Sequence, residues 1–156
     1  REGGRAQTWD NVARWVHGVR NISNIPTWDF YSEIDNSFRI EVLKSICAVN
    51  LKKSAGGHTA DHGTIWQVMQ KDLEYIQKQF SLYTPDLVVC CGTGDMFHWV
   101  LKQYGDTNQW KITSRGVYYF DWNGVPVIAF LHPAARVPSN ILMYAFIDAV
   151  KEILNN

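Results

Sequence analysis

The sequence predicts a three-layer α/β/α domain around a central, mainly parallel, four-stranded sheet. Short apolar runs at 45–49, 86–91, 117–122 and 125–131 alternate with stretches of helical periodicity. Two of those runs, SICAV and DLVVCC, are almost continuously apolar, as strands buried on both faces are. The other two flank Asn123-Gly124, a strong two-residue hairpin signal. A length of 156 residues suits one domain spanning 1–156, and no repeat, low-complexity tract or shift in composition divides it.

Each element has its own signal. Thr8 is expected to cap a helix carrying Trp9, Val12, Val16 and Val19 on one stripe. Residues 21–38 are rich in Asn, Ser, Asp and aromatics around Pro26, and read as a long loop holding a turn of helix. The run 45–49 ends at Asn50, after which Lys52 and Lys53 lead into a Ser/Gly/His loop reaching Gly63. Ile65, Met69, Leu73, Ile76, Phe80 and Tyr83 predict a helix over 64–82, which Pro85 blocks from continuing. Met96, Phe97, Val100, Leu101 and Tyr104 predict another, ended by Gly105. Ser139 is expected to cap a final helix bearing Leu142, Phe146, Ala149, Val150 and Ile153.

Composition bounds the function. Fifteen basic residues balance fifteen acidic ones, whereas proteins that bind nucleic acid chiefly by counterion release are usually more basic. Any nucleic-acid contact therefore rests on a local patch. Cys47, Cys90 and Cys91 all lie in apolar runs, two of them adjacent, and read as buried, reduced thiols of an intracellular protein. No run reaches the roughly 18 apolar residues of a membrane span, and no signal-peptide pattern opens the chain.

In open α/β sheets, ligands bind beyond the carboxyl ends of the strands. Here three predicted strands end at Asn50, Gly92 and His132. His132 directly follows VIAFL and precedes Pro133; it can donate to a developing anion, serve as acid or base, or simply cap the strand. Asn50 carries a donor and an acceptor that match the edge of a planar amide such as a nucleobase, or that close a turn. Lys52, Lys53, Gly56 and Gly57 form a basic, glycine-bearing loop suited to a phosphate backbone, and Arg136 with Ser139 offers a second phosphate contact, unless each is simply a solvated charge on a loop. Gly92-Thr93-Gly94 has Phe97 where a dinucleotide fingerprint has its third glycine, so it reads as a tight strand-to-helix turn. His58, Asp61 and His62 lack a further ligand, and no metal is expected. Trp28, Phe30 and Tyr31 are available to stack on a base.

Four segments, AVNLKKSAGG (48–57), PDLVVCCGTGDMFHWVL (85–101), GVYYFDWNGVPVIAFL (116–131) and HPAARVPSN (132–140), resemble in content and order those of the uracil-DNA glycosylase superfamily. The likeness covers about residues 45–154. It implies a uracil-DNA glycosylase-like fold and hydrolysis of the N-glycosidic bond of uracil, or a related damaged base, flipped out of DNA. Asn50 and Gly92 are then assigned to the base, His132 to its developing charge, and Ala134, Ala135 and Arg136 to a loop pressing into the minor groove. Glu2 would be the acidic residue of the first motif, which positions water, and the first strand of the sheet is expected ahead of Arg1.

Two departures stand out. The cysteines of the iron–sulfur branch are absent, so no cofactor is expected, and Ala134 replaces a serine common in the family. The implied partner is DNA, and the implied protein a cytoplasmic monomer without membrane contact. The alternatives are an inactive relative that binds nucleic acid or a nucleobase-like ligand, and a nucleotide enzyme using the Gly92 turn.

Overall fold

The apolar runs after residue 85 form three of the sheet's strands, and the periodic stretches form helices. A computed structural model describes residues 6–54 and 61–155. The helices are α1 (Ala6–Arg20), α2 (Trp28–Ser32), α3 (Asn36–Leu43), α4 (His62–Lys71), α5 (Leu73–Phe80), α6 (Gly94–Lys102) and α7 (Ser139–Leu154). The strands are β1 (Val88–Cys91), β2 (Lys111–Ile112), β3 (Tyr118–Trp122) and β4 (Val125–Phe130), in the sheet order β1-β4-β3-β2. The protein is thus a mixed α/β structure with an open four-stranded sheet.

The expectation of a mainly parallel sheet is corrected. Among the described residues only β1 and β4 run parallel, in the register Val88↔Val127 to Cys91↔Phe130, while β3 pairs antiparallel with both β4 and β2. The difference arises at 45–49, which is not a strand. Turn bonds from Ser45 N–H to Val42 O (3.5 Å) and Ile46 N–H to Leu43 O (3.3 Å) extend the end of α3 into that run. The Ser45 hydroxyl also donates to Val42 O (2.9 Å). The chain then passes β1 without joining the sheet, and Cys47, Val49 and Leu51 line a cavity of about 130 Å³ together with Val88, Val89 and Cys90. The fourth strand is instead the two-residue β2, which no apolar pattern announces.

Other boundaries moved for local reasons. The first helix begins at Ala6, ahead of Thr8. Residues 21–38 hold α2 and the start of α3, whose Asp35 caps the helix by accepting from Phe38 N–H at 2.7 Å. The periodic stretch 64–82 is two helices, broken at Asp72 (φ −92°, ψ 10°), whose carboxylate accepts the Lys53 N–H at 3.0 Å. The hairpin forms as expected, with Asn123 and Gly124 both at positive φ (53° and 84°).

Strand alternation divides the core in two. Cys90, Phe120 and Val127 belong to a cluster with Met69 of α4, Ile76 of α5 and Phe97 of α6. Val89, Ile128 and Phe130 belong to another, with Trp15 of α1 and Phe146, Ile147 and Val150 of α7. Pairing puts equal-face residues opposite one another, Phe120 against Val127 and Tyr119 against Ile128, so the register alone assigns each side chain to its cluster. The edge distant from β1 is fastened to α7, where Glu152 accepts from both the backbone N–H and the hydroxyl of Ser114 at 2.6 Å.

Candidate functional site

The two parallel strands end side by side, and a specific backbone requirement shapes the turn after each. Gly92, after β1, has φ +73°, and its N–H donates to Phe130 O on β4 at 2.8 Å. Gly94, two residues on, is buried where α6 begins; a Cβ there would lie 2.6 Å from the Ala129 Cβ of β4. This close approach lets α6 start directly against the sheet.

After β4 the chain turns sharply through 132–137. Ala135 N–H donates to His132 O and Val137 N–H to Ala135 O, each at 2.8 Å. Ala134 N–H donates to His132 Nδ1 at 3.0 Å. With Nδ1 serving as acceptor, the neutral ring carries its hydrogen on Nε2, so the exposed imidazole presents a donor there. Arg136 is exposed, Ala134 and Ala135 are half-buried, and Pro133 is buried. Ser139 is the first residue of α7 and not its cap; Pro138 takes the cap position and supplies no side-chain bond.

The turn is held from α1, by residues that sequence reasoning missed. Asn11 donates from Nδ2 to Pro133 O at 2.7 Å and accepts at Oδ1 from Arg14 Nη1 at 3.0 Å. Arg14 Nε donates to Tyr31 O at 2.9 Å, and its guanidinium lies 5.4 Å from the Trp28 ring centre. Asn11 is 1% exposed and Arg14 8%. Burial lowers the Arg14 pKa, opposed by neighbouring Asp10, and burial, with Tyr144, raises Tyr31 to about 12. Beside this network His17 bonds through Nδ1 to the Tyr31 hydroxyl (2.9 Å) and stacks on Phe30; burial lowers its pKa, assisted by Arg20. The buried residues of α1 are Asn11, Ala13, Arg14, Trp15 and Gly18, while Trp9, Val12, Val16 and Val19 of the expected stripe are half-buried; Asn11 and Arg14 were missed because polar residues at helical spacing read as an outer face.

The remaining predicted residues are not gathered here. Asn50 is exposed, off the sheet, and its carbonyl accepts from Lys53 Nζ at 2.6 Å. The same ammonium also bonds to Gln79 Oε1, so Lys53 fastens its loop to α5; burial lowers its pKa against the pull of Asp72. Lys52 is half-buried. The 130 Å³ cavity beside β1 is lined by Val49, Leu51 and Thr93 but by neither Asn50 nor His132. Glu2, Gly56, Gly57 and His58 lie outside the described residues. Cys47 is exposed, contrary to expectation, whereas burial raises the thiol pKa of Cys91 to about 11 and that of Cys90 further. Among the described residues no group of three or more His, Cys, Asp or Glu is placed to hold a metal ion, and no helix is long and apolar enough to cross a membrane.

The arrangement can therefore offer one imidazole donor on a braced turn next to a glycine-rich helix start. No protein-family model, curated protein or solved structure matches this chain.

Proposed function

We propose that the chain is a uracil-DNA glycosylase-type hydrolase that removes uracil or a related damaged base from DNA, with helices on both faces of its sheet as in a three-layer α/β/α domain. One observation carries the reading: His132, two residues beyond the strand end whose Phe130 O accepts the Gly92 N–H, has Nδ1 occupied by Ala134 N–H and Nε2 left as a donor. A donor held there suits the oxygen of a departing base, which gains charge as the C–N bond lengthens. Water then completes the bond to the sugar, the base takes the electron pair and a proton, and no oxidant is needed. Glu2 is assigned the water, and Asn50 and Gly92 the base, on the strength of the resemblance. The division of strand residues between two helix-backed clusters supports the layered fold. The DNA partner, monomeric state and intracellular location belong to the same reading.

A second reading has its own observation. Asn50 stands on an exposed segment, and the cavity beside β1 excludes both it and His132. An inactive relative that binds nucleic acid without cleaving it fits that separation. Uracil release from single- and double-stranded oligonucleotides decides between them. The hydrolase releases base, and His132→Ala slows release by about 100-fold, the usual loss for one preorganised donor. Salt-sensitive binding without release favours the second reading, and absence of both release and binding overturns the two together.

A further inference from the structure

The larger cavity, about 550 Å³, lies at the other end of the sheet. Its wall includes Trp122 and Asn123, at the amino end of β4, and residues following the carboxyl end of α6. That volume falls within the range of small-ligand sites. Phe80, Phe97 and Trp122 form a connected aromatic group in the wall, with ring centres 4.6 Å apart for Phe80–Phe97, 6.0 Å for Phe80–Trp122 and 5.9 Å for Phe97–Trp122. Phe80 and Trp122 are half-buried, and Tyr83 and Tyr104 on the same wall are each 40% exposed, so aromatic surface stays accessible. A planar guest can stack on such surface.

Asn108 is held in this wall by its backbone alone. Its N–H donates to Asp106 Oδ1 at 2.8 Å, and its carbonyl accepts from His98 Nε2 at 3.0 Å. His98 is 8% exposed and packs against Trp110 and Phe120, with ring centres 4.9 Å from each, so the group that holds Asn108 is itself fixed. The half-buried Asn108 keeps a side-chain amide that bonds to no described residue and is still open to solvent. Gln77 and Asn123, both exposed, bring two more amides to the cavity. Among the described residues lining it, Asp106 is the only acid, with one oxygen bonded to Asn108 and the other enclosed, and no Lys, Arg or His is present. Ring faces and amides suit a neutral guest. An amide sets a donor beside an acceptor, which matches a heteroaromatic edge carrying the complementary pair, as Asn and Gln match adenine.

We infer that this cavity binds a neutral, planar heteroaromatic compound with an adjacent hydrogen-bond donor and acceptor, stacked on the aromatic wall and read by the Asn108 amide. The site lies apart from His132 and stands or falls separately from the glycosylase reading. Adenosine and its N6,N6-dimethyl derivative, which keeps the ring and loses the exocyclic donor, test it by calorimetry and backbone amide shifts in the full chain. Adenosine is expected to bind at least about tenfold more tightly than the derivative, since a matched amide–base pair is worth that much. It is expected to shift the amides of residues 104–108 and to leave those of 132–137 in place. Asn108→Ala keeps both backbone bonds and is expected to erase the difference between the two compounds. Equal affinity of the two, no binding of either, shifts centred on 132–137, or discrimination that survives Asn108→Ala overturns the inference. The comparison on the unaltered chain remains decisive if that variant fails to fold.

Discussion

The two ends of the sheet satisfy their polar groups in opposite ways. At the carboxyl end of the parallel pair, the turn through 132–137 closes its own backbone bonds, and Asn11 reaches from α1 to hold Pro133 O. At the amino end of β4, Asp106 keeps a buried oxygen without a partner beside a 550 Å³ aromatic cavity. The carboxyl end follows the general rule for where α/β sheets place chemistry. The amino end has the larger space. A satisfied turn fixes one side chain in place, whereas an open cavity leaves room.

The sharpest way to break this comparison is to strain the helix that joins the two ends. Gly94→Ala drives a methyl to within 2.6 Å of the Ala129 Cβ, which sits on β4 and does not rotate away. Overpacking of this kind costs roughly 2–3 kcal/mol, and urea denaturation should show it. Both ends should suffer, through loss of His132-dependent release and displaced amide shifts around the far cavity alike. Adding Ala129→Gly should recover most of the stability; purely additive losses would show that the close approach is not the cause.

A smaller effect is expected from Asn11→Ala, and it should be one-sided. The substitution removes the donor to Pro133 O and a bond from Arg14, leaving buried groups without partners. The expected loss is about 2 kcal/mol. Release should fall with it because the turn carrying His132 loosens, while amide shifts around the far cavity stay as in the unaltered chain. Equal damage to both ends would mean that the ends are coupled.

The smallest effect is that of His17. Its folded-state pKa is below the ordinary 6.5, chiefly through burial, so the folded chain holds it neutral while the unfolded chain takes up a proton more readily. The stability it contributes is complete above pH 6.5 and is lost as pH falls through the lowered value. Its ring bonds to Tyr31, whose carbonyl holds Arg14, so acid should loosen the carboxyl end first. Denaturation curves between pH 5 and 8 should flatten in His17→Asn relative to the parent; identical pH dependence would remove His17 from this role.

Much of this was legible in the sequence because it depends on neighbouring residues. DLVVCC and VPVIAF read as strands from their own composition, and Asn123-Gly124 announced the hairpin between the last two strands. The strand-to-helix turn at Gly92 was visible for the same reason, since positive φ is a property of one residue. SICAV had equal apolar content and failed to join the sheet, because the bonds ending α3 claimed its first residues.

The chain order of apolar runs, turns and periodic stretches was determined by the sequence itself, since each rests on contacts a few residues long. The tertiary structure decided which strands pair, that Lys53 holds a loop to α5, and that Asn11 and Arg14 face inward to brace a turn more than a hundred residues away. It also left Asp106 Oδ2 buried without a hydrogen-bond partner. Those outcomes depend on partners distant in sequence, and a polar side chain shows no sign in its own neighbourhood of whether water or a buried carbonyl will meet it.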